Sequence, residues 1–386
     1  MAQALAAFFS SGFRPMFLSA ALWAALSMSL WILYWTGSTN WEPSWPALDW
    51  HVHGLLFGYG SAVLCGFLFT AIPNWTNRPP VAGPPLAALW LLWVTGRVAT
   101  ASALPWALTL GLDVGFLLLV CLLAARDILA AGNRRNLPVI AMVALFAVAN
   151  TLFHLDIFTE SPASSGNGTR MGIALLIILI SLIGGRIIPI FTTNWLKQRN
   201  ATKLPVQFNR NDGAVLAASA LTLILWTLTP NSQTTGSALG IVGLAHLWRL
   251  CRWQGHRTGS EPLILALHVA YLFVPLGFLL TALAAFDLMT PMAGQHAWTA
   301  GALGGMTLIV MTRASLGHSG RPLKASHLDT TFLSLIGLAA GTRILSALDV
   351  WSEPLLHLSA TLWIVGFTLF VLRFGKGMFQ PRPTAA

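Results

Sequence analysis

Long apolar runs recur about twelve times along this chain, and that repetition constrains its fold more than any other feature. They cover residues 16–36, 51–72, 85–104, 105–125, 137–158, 171–192, 213–229, 235–251, 262–286, 293–315, 327–348 and 353–374. A membrane-spanning helix needs roughly 20 apolar residues. In lipid each backbone polar group must be satisfied within its own segment or a closed barrel, so runs of this length are read as helices. Only 9% of the 386 residues are charged, against about 25% in a water-soluble domain. The chain is therefore expected to be an all-α polytopic membrane protein, a bundle of about 12 transmembrane helices forming a single integral-membrane domain over residues 1–386. The first long run follows Arg14-Pro15 and is too long for a signal-peptide core, so no cleavable signal is expected.

The formal net charge of +10 is explained by topology. With twelve spans, the even-numbered connections hold Arg78, Arg126, Arg134, Arg135, Lys197, Arg199, Lys203, Arg210, Arg249, Arg252, Arg257, Arg313, Arg321 and Lys324. The odd-numbered ones hold Glu42, Asp49, Asp156, Glu160, Asp287, Asp349 and Glu353, with Arg170 as the basic exception. The positive-inside rule then places both termini and the even connections in the cytoplasm. Membrane lipid is the expected partner of the basic residues, and nucleic acid is not.

The three cysteines, Cys65, Cys121 and Cys251, lie in or at the ends of apolar runs without a C-x-x-C pattern, which argues against covalent haem and a disulfide framework. The ten histidines sort by side. His51, His53, His154, His296 and His357 fall on the expected outer face, and His246, His256, His268, His318 and His327 on the inner. Imidazole is the commonest protein ligand for redox metals, and ionisable groups at the mouth of a membrane helix mark ion, proton or cofactor sites. His51 and His53 would point about 200° apart on a regular helix. They can serve two cofactors, or one metal if the first turn is distorted. Gly301, Gly304 and Gly305 follow His296 and flatten one side of their helix, for a neighbouring helix or a flat macrocycle. Arg97, Arg186 and Arg343 stand inside apolar runs with Asp113 as the clearest acidic counterpart. Two readings follow: a bound anion such as a haem propionate, or snorkelling and carbonyl pairing.

Seven stretches in order then resemble the NnrS family over nearly the whole chain. They are F-R-P-M-F (Phe13–Phe17), W-H-V-H-G-L-L-F-G-Y (Trp50–Tyr59), G-F-L-F-T-A-I-P-N-W-T (Gly66–Thr76), R-N-L-P-V (Arg135–Val139), G-G-R-I-I-P-I-F (Gly184–Phe191), H-A-W-T-A-G-A-L-G-G-M-T (His296–Thr307) and M-T-R-A-S-L-G-H-S-G-R-P (Met311–Pro322). The resemblance implies a bacterial inner-membrane protein of the nitric oxide response containing non-covalent b-type haem and copper. Its pattern carries over onto His51, His53, Arg186, His296, Arg313 and His318, and extends to His154 and His268. A glutamate usual in the family is replaced by Gly54, so proton supply there falls to Asp49 or water. The expected function is nitric oxide binding and reduction to N2O. His51, His53 and His296 are the expected catalytic ligands, His154 is a fourth metal ligand, and Arg97, Arg186 and Arg313 are cofactor contacts. The electron donor is not identified by sequence. The rival readings are a sensor or scavenger, a bis-histidine electron-transfer protein, and a twelve-helix transporter.

Overall fold

The computed structural model describes residues 1–381. Among the described residues there are helices and no strands. Helix occupies each of the twelve apolar runs, and nine of the helices are long and apolar enough to cross a membrane. Three runs account for the shortfall from the expected twelve. Helix α5 (Pro84–Thr100) has 17 residues. Helix α10 (Gln233–Cys251) carries His246 and Arg249 among its apolar residues. The tenth run, folded as α12 (Pro291–His296), a π-helical segment (Ala297–Gly304) and α13 (Gly305–His318), carries Gln295, His296, Arg313 and several glycines and threonines, which make it less apolar.

Helix starts follow local chemistry. Pro84, Pro262 and Pro291 open α5, α11 (Pro262–Ala285) and α12, where a missing N–H costs nothing. Asn209 and Asp212 form a capping box at α9 (Arg210–Leu228), and Ser326 and Asp329 form another at α14 (His327–Ala347).

The residues group into two compact units. The first comprises Met1–Gly172, Met311–Leu323 and the chain from Phe367. It contains α1 (Ala2–Phe8), α2 (Phe13–Trp35), α3 (Ala47–His53), a π segment (Gly54–Tyr59), α4 (Gly60–Thr76), α5, α6 (Trp106–Ala130) and α7 (Leu137–Phe158). The buried Arg14 guanidinium donates to the carbonyls of Met378 at 3.0 Å and Gln380 at 2.6 Å, at the C-terminal end of α15 (Ser352–Met378). The carbonyl end of a helix favours a cation. The second unit, Ile173–Val310 with Lys324–Gly366, contains α9 to α12, the second π segment and α14. Residues of α8 (Asn167–Lys197), α13 and α15 belong to both.

Each π segment directly follows a histidine, His53 in one unit and His296 in the other. A π turn shifts backbone bonding from i+4 to i+5 and is frequent at functional sites. In the first unit two of its carbonyls receive indole donors: Trp23 donates to Gly54 at 2.7 Å and Trp93 to Gly58 at 3.0 Å. In the second unit a Cβ at Gly301, Gly304 or Gly305 would collide with Phe273, Trp363 or Ala270. That glycine face is filled by helix packing, the first of the two uses expected for it.

Candidate metal centre

The site lies in the first unit, where three helices bring four polar side chains to one carboxylate. His53 ends α3, Asp113 is midway along α6, and Asn150 and His154 stand four residues apart on one face of α7. The Nε2 atoms of His53 and His154 each lie 2.9 Å from Asp113 Oδ2, and Asn150 Nδ2 donates to the same oxygen at 2.8 Å. His53 Nε2 also faces Asn150 Oδ1 at 3.0 Å. Arg97, near the end of α5, donates from Nη2 to the other oxygen, Asp113 Oδ1. These five side chains are all buried.

The arrangement has more close neighbours than ordinary hydrogen bonds can serve. Three nitrogens converge on one carboxylate oxygen, which offers about two lone pairs. One ring nitrogen of His53 is shared between two oxygens, Asp113 Oδ2 and Asn150 Oδ1. Nitrogen and oxygen donors turned inward on a common point are the chemistry of a cation site. His53, Asp113 and His154 offer ligand atoms within 4.8 Å of one another, the one such group among the described residues.

The surroundings are aromatic. Trp45 stands edge-to-face against both imidazoles, with centroids at 5.0 Å from His53 and 5.1 Å from His154. Phe57 and Phe153 also contact His53. The Nδ1 atoms of both histidines are buried and have no hydrogen-bond partner among the described residues. Gly58 makes room for Arg97, because a Cβ there would lie 2.6 Å from Arg97 Nη1.

The other expected site residues lie elsewhere. His51 points away from His53 and stacks on Trp31, with centroids 4.5 Å apart. His296 Nδ1 donates to Met292 O at 2.8 Å. His268 is turned inward, with Nδ1 at 3.0 Å from Ile264 O and Nε2 at 3.3 Å from Trp253 O. The exposed His318 packs on Phe13. Arg186 lies over the Phe208 ring at 5.4 Å. Arg313 and Arg343 are half-buried. Arg97, one of the three arginines for which a bound anion was a reading, has its counter-ion in Asp113.

Sequence reasoning missed Asn150 and Trp45 as members of the site, and read Asp113 as a lone anion. It also missed a polar network in the second unit. Arg249, expected at a basic loop, is fully buried and donates from Nε to Asp212 Oδ1 at 2.6 Å, and from Nη1 to Ser181 O at 3.0 Å and Tyr271 Oη at 2.9 Å. His246 lies between Tyr271 Oη at 3.0 Å and Ser219 Oγ at 2.8 Å. The glycine pair before Arg186 was the available signal: a Cβ at Gly185 would collide with Arg249.

The family model described as NnrS protein matches residues 7–382, nearly the full length. The chain belongs to the NnrS family. No curated protein matches it. NnrS membership points to a membrane protein of the nitric oxide response, and the family is associated with metal and haem binding. In this NnrS chain His53 and His154 face one another across Asp113, while His51 and His296 stand outside that group.

Proposed function

We propose that this protein is a haem- and copper-containing protein of the bacterial inner membrane that binds nitric oxide and reduces it to N2O. The observation that carries the reading is the buried convergence of His53, Asp113 and His154 in a member of this family. Two imidazoles and a carboxylate fit copper, and they would hold it. His296 is the candidate haem ligand: its Nδ1 donates to Met292 O, the carbonyl bond that a metal-bound imidazole commonly makes with its second nitrogen. His51 is the second candidate for that role.

Joining two molecules of nitric oxide into N2O and water takes two electrons and two protons. When bound, the metals supply the positions that take up nitric oxide and pass electrons to it. The protein does the rest. Arg97 holds one oxygen of Asp113 and so fixes the carboxylate between the two imidazoles. Trp45, Phe57 and Phe153 pack around those imidazoles and exclude bulk water. Gly54 has no proton to give. Asp49, buried and held by the Ser164 N–H at 2.6 Å, is the carboxylate that would replace it.

The test is metal analysis, optical spectroscopy and nitric oxide titration of the purified reduced protein, with N2O measured as product. His53→Ala and His154→Ala are expected to lose copper, and His296→Ala to change the haem spectrum. His256→Ala, at an exposed loop position, is the silent control. The reading is overturned if wild-type protein lacks haem and copper, or if these three variants keep normal metals and nitric oxide consumption. Metals with reversible nitric oxide binding and no N2O would support the sensor or scavenger instead.

A further inference from the structure

We propose that the His53–Asp113–His154 group is a charge-neutral, low-coordinate site that takes copper as the monovalent ion and discriminates against divalent ions. The inference rests on the proposed function only in placing a metal there.

Three observations carry it. The first is the number of donors. Three ligating side chains converge, and no fourth His, Cys, Asp or Glu joins them among the described residues. Copper(I), with a filled d shell, is satisfied by two or three donors. Zinc(II) and copper(II) favour four donors, zinc often taking a water as the fourth, so each would have to bring a water into a pocket lined by Trp45, Phe57 and Phe153.

The second is charge. Asp113 carries the negative charge of the group, and Arg97, 4% exposed, already matches it. Two neutral imidazoles add none, so the protein offers an incoming ion a net charge of zero. In a buried setting each uncompensated charge is costly. A divalent ion would leave two such charges and a monovalent ion one.

The third is the outer layer. A metal-bound imidazole normally donates its second N–H to a carbonyl or carboxylate, which makes the ligating nitrogen more basic and strengthens its hold on hard, highly charged ions. Here neither Nδ1 has an acceptor among the described residues, and the His154 ring packs against the rings of Trp45 and His53. Asn150 and Arg97 meanwhile draw on both oxygens of Asp113, weakening the carboxylate as a donor.

The experiment is competitive metal binding to the detergent-purified full-length protein stripped of metal. Copper(I) is presented under reductant with a copper(I)-specific chelator, and zinc(II) and copper(II) are presented separately with their own buffers. Electron paramagnetic resonance reads any copper(II). Wild type is expected to hold one His154-dependent copper(I), silent in resonance, with weak His154-dependent zinc(II) binding. Asn150→Asp adds an oxygen donor and one negative charge at nearly constant shape. It should shift the zinc(II)-to-copper(I) affinity ratio toward zinc by about a thousandfold, the order set by one added charge about 4 Å away at an effective dielectric near 20. Asn150→Leu removes the amide without adding charge and should leave the ratio within about tenfold of wild type. If His154-dependent metal is found but zinc(II) or copper(II) binds more tightly than copper(I), or if Asn150→Asp leaves the ratio unmoved, the inference is overturned and the metal reading stands. If no metal of either valence depends on His154, both fall together.

Discussion

Replacing Asp113 by leucine removes the one anion that four buried groups share. Arg97 loses its counter-ion, and His53, His154 and Asn150 each lose a bond of 2.8–2.9 Å. Breaking a buried ion pair from one side costs about 3–5 kcal/mol, because a charge is left alone in a low dielectric. An orphaned buried polar group costs about 1–3 kcal/mol. His53 keeps Asn150 Oδ1 as a partner, and side chains relax, so a total of about 5 kcal/mol is expected for Asp113→Leu. The double variant Asp113→Leu/Arg97→Met removes both charges and leaves only the polar losses, about 2 kcal/mol. The pair should therefore be strongly non-additive, with the second substitution restoring about 3 kcal/mol. Both proteins would be unfolded by titrating SDS into mixed micelles, followed by tryptophan fluorescence. The reasoning is refuted if Asp113→Leu costs less than about 1 kcal/mol, or if the double variant is no more stable than the single.

Two further outcomes follow from other parts of the molecule. Gly185→Ala should destabilise by about 1–3 kcal/mol, because its methyl would displace the Arg249 guanidinium, whereas Gly213→Ala, with open space around it, should be neutral or stabilising; melting of the two variants in detergent compares them. Cysteines placed between residues 198 and 209 in a cysteine-free background should react only with membrane-permeant thiol reagents in whole cells. Labelling by an impermeant reagent would reverse the sidedness read from the basic loops.

The helices were legible in the sequence because lipid allows few alternatives: each apolar run of sufficient length had to close its own hydrogen bonds. The sites of helix interruption were not. Nothing in the spacing of Gly54 to Tyr59 or Ala297 to Gly304 distinguishes a π turn from an α turn, since both are apolar and glycine-bearing. The carboxylate partner of the histidines was half visible. Arg97 and Asp113 stand out as opposite charges in neighbouring runs, and Asn150 and His154 share a helix face, but only packing shows that α3, α6 and α7 meet at one point. Trp45 sits in a loop among several other tryptophans, and no sequence pattern singles it out. Arg249 was misread because a cation near a helix end in a basic connection looks solvated. Its burial depends on Asp212, 37 residues away, and on the missing side chain of Gly185.

The π turn after His53 acts as an angular phase adjuster. In an α-helix every residue advances by about 100°, so a histidine that must face a metal and a downstream face that must meet its neighbours would be locked to one phase. One extra residue in the turn absorbs that difference. Returning Gly54–Tyr59 to α geometry without changing its length would swing His53 by about 100° relative to α4. Two azimuths can thus be set separately along one helix, and the same device follows His296.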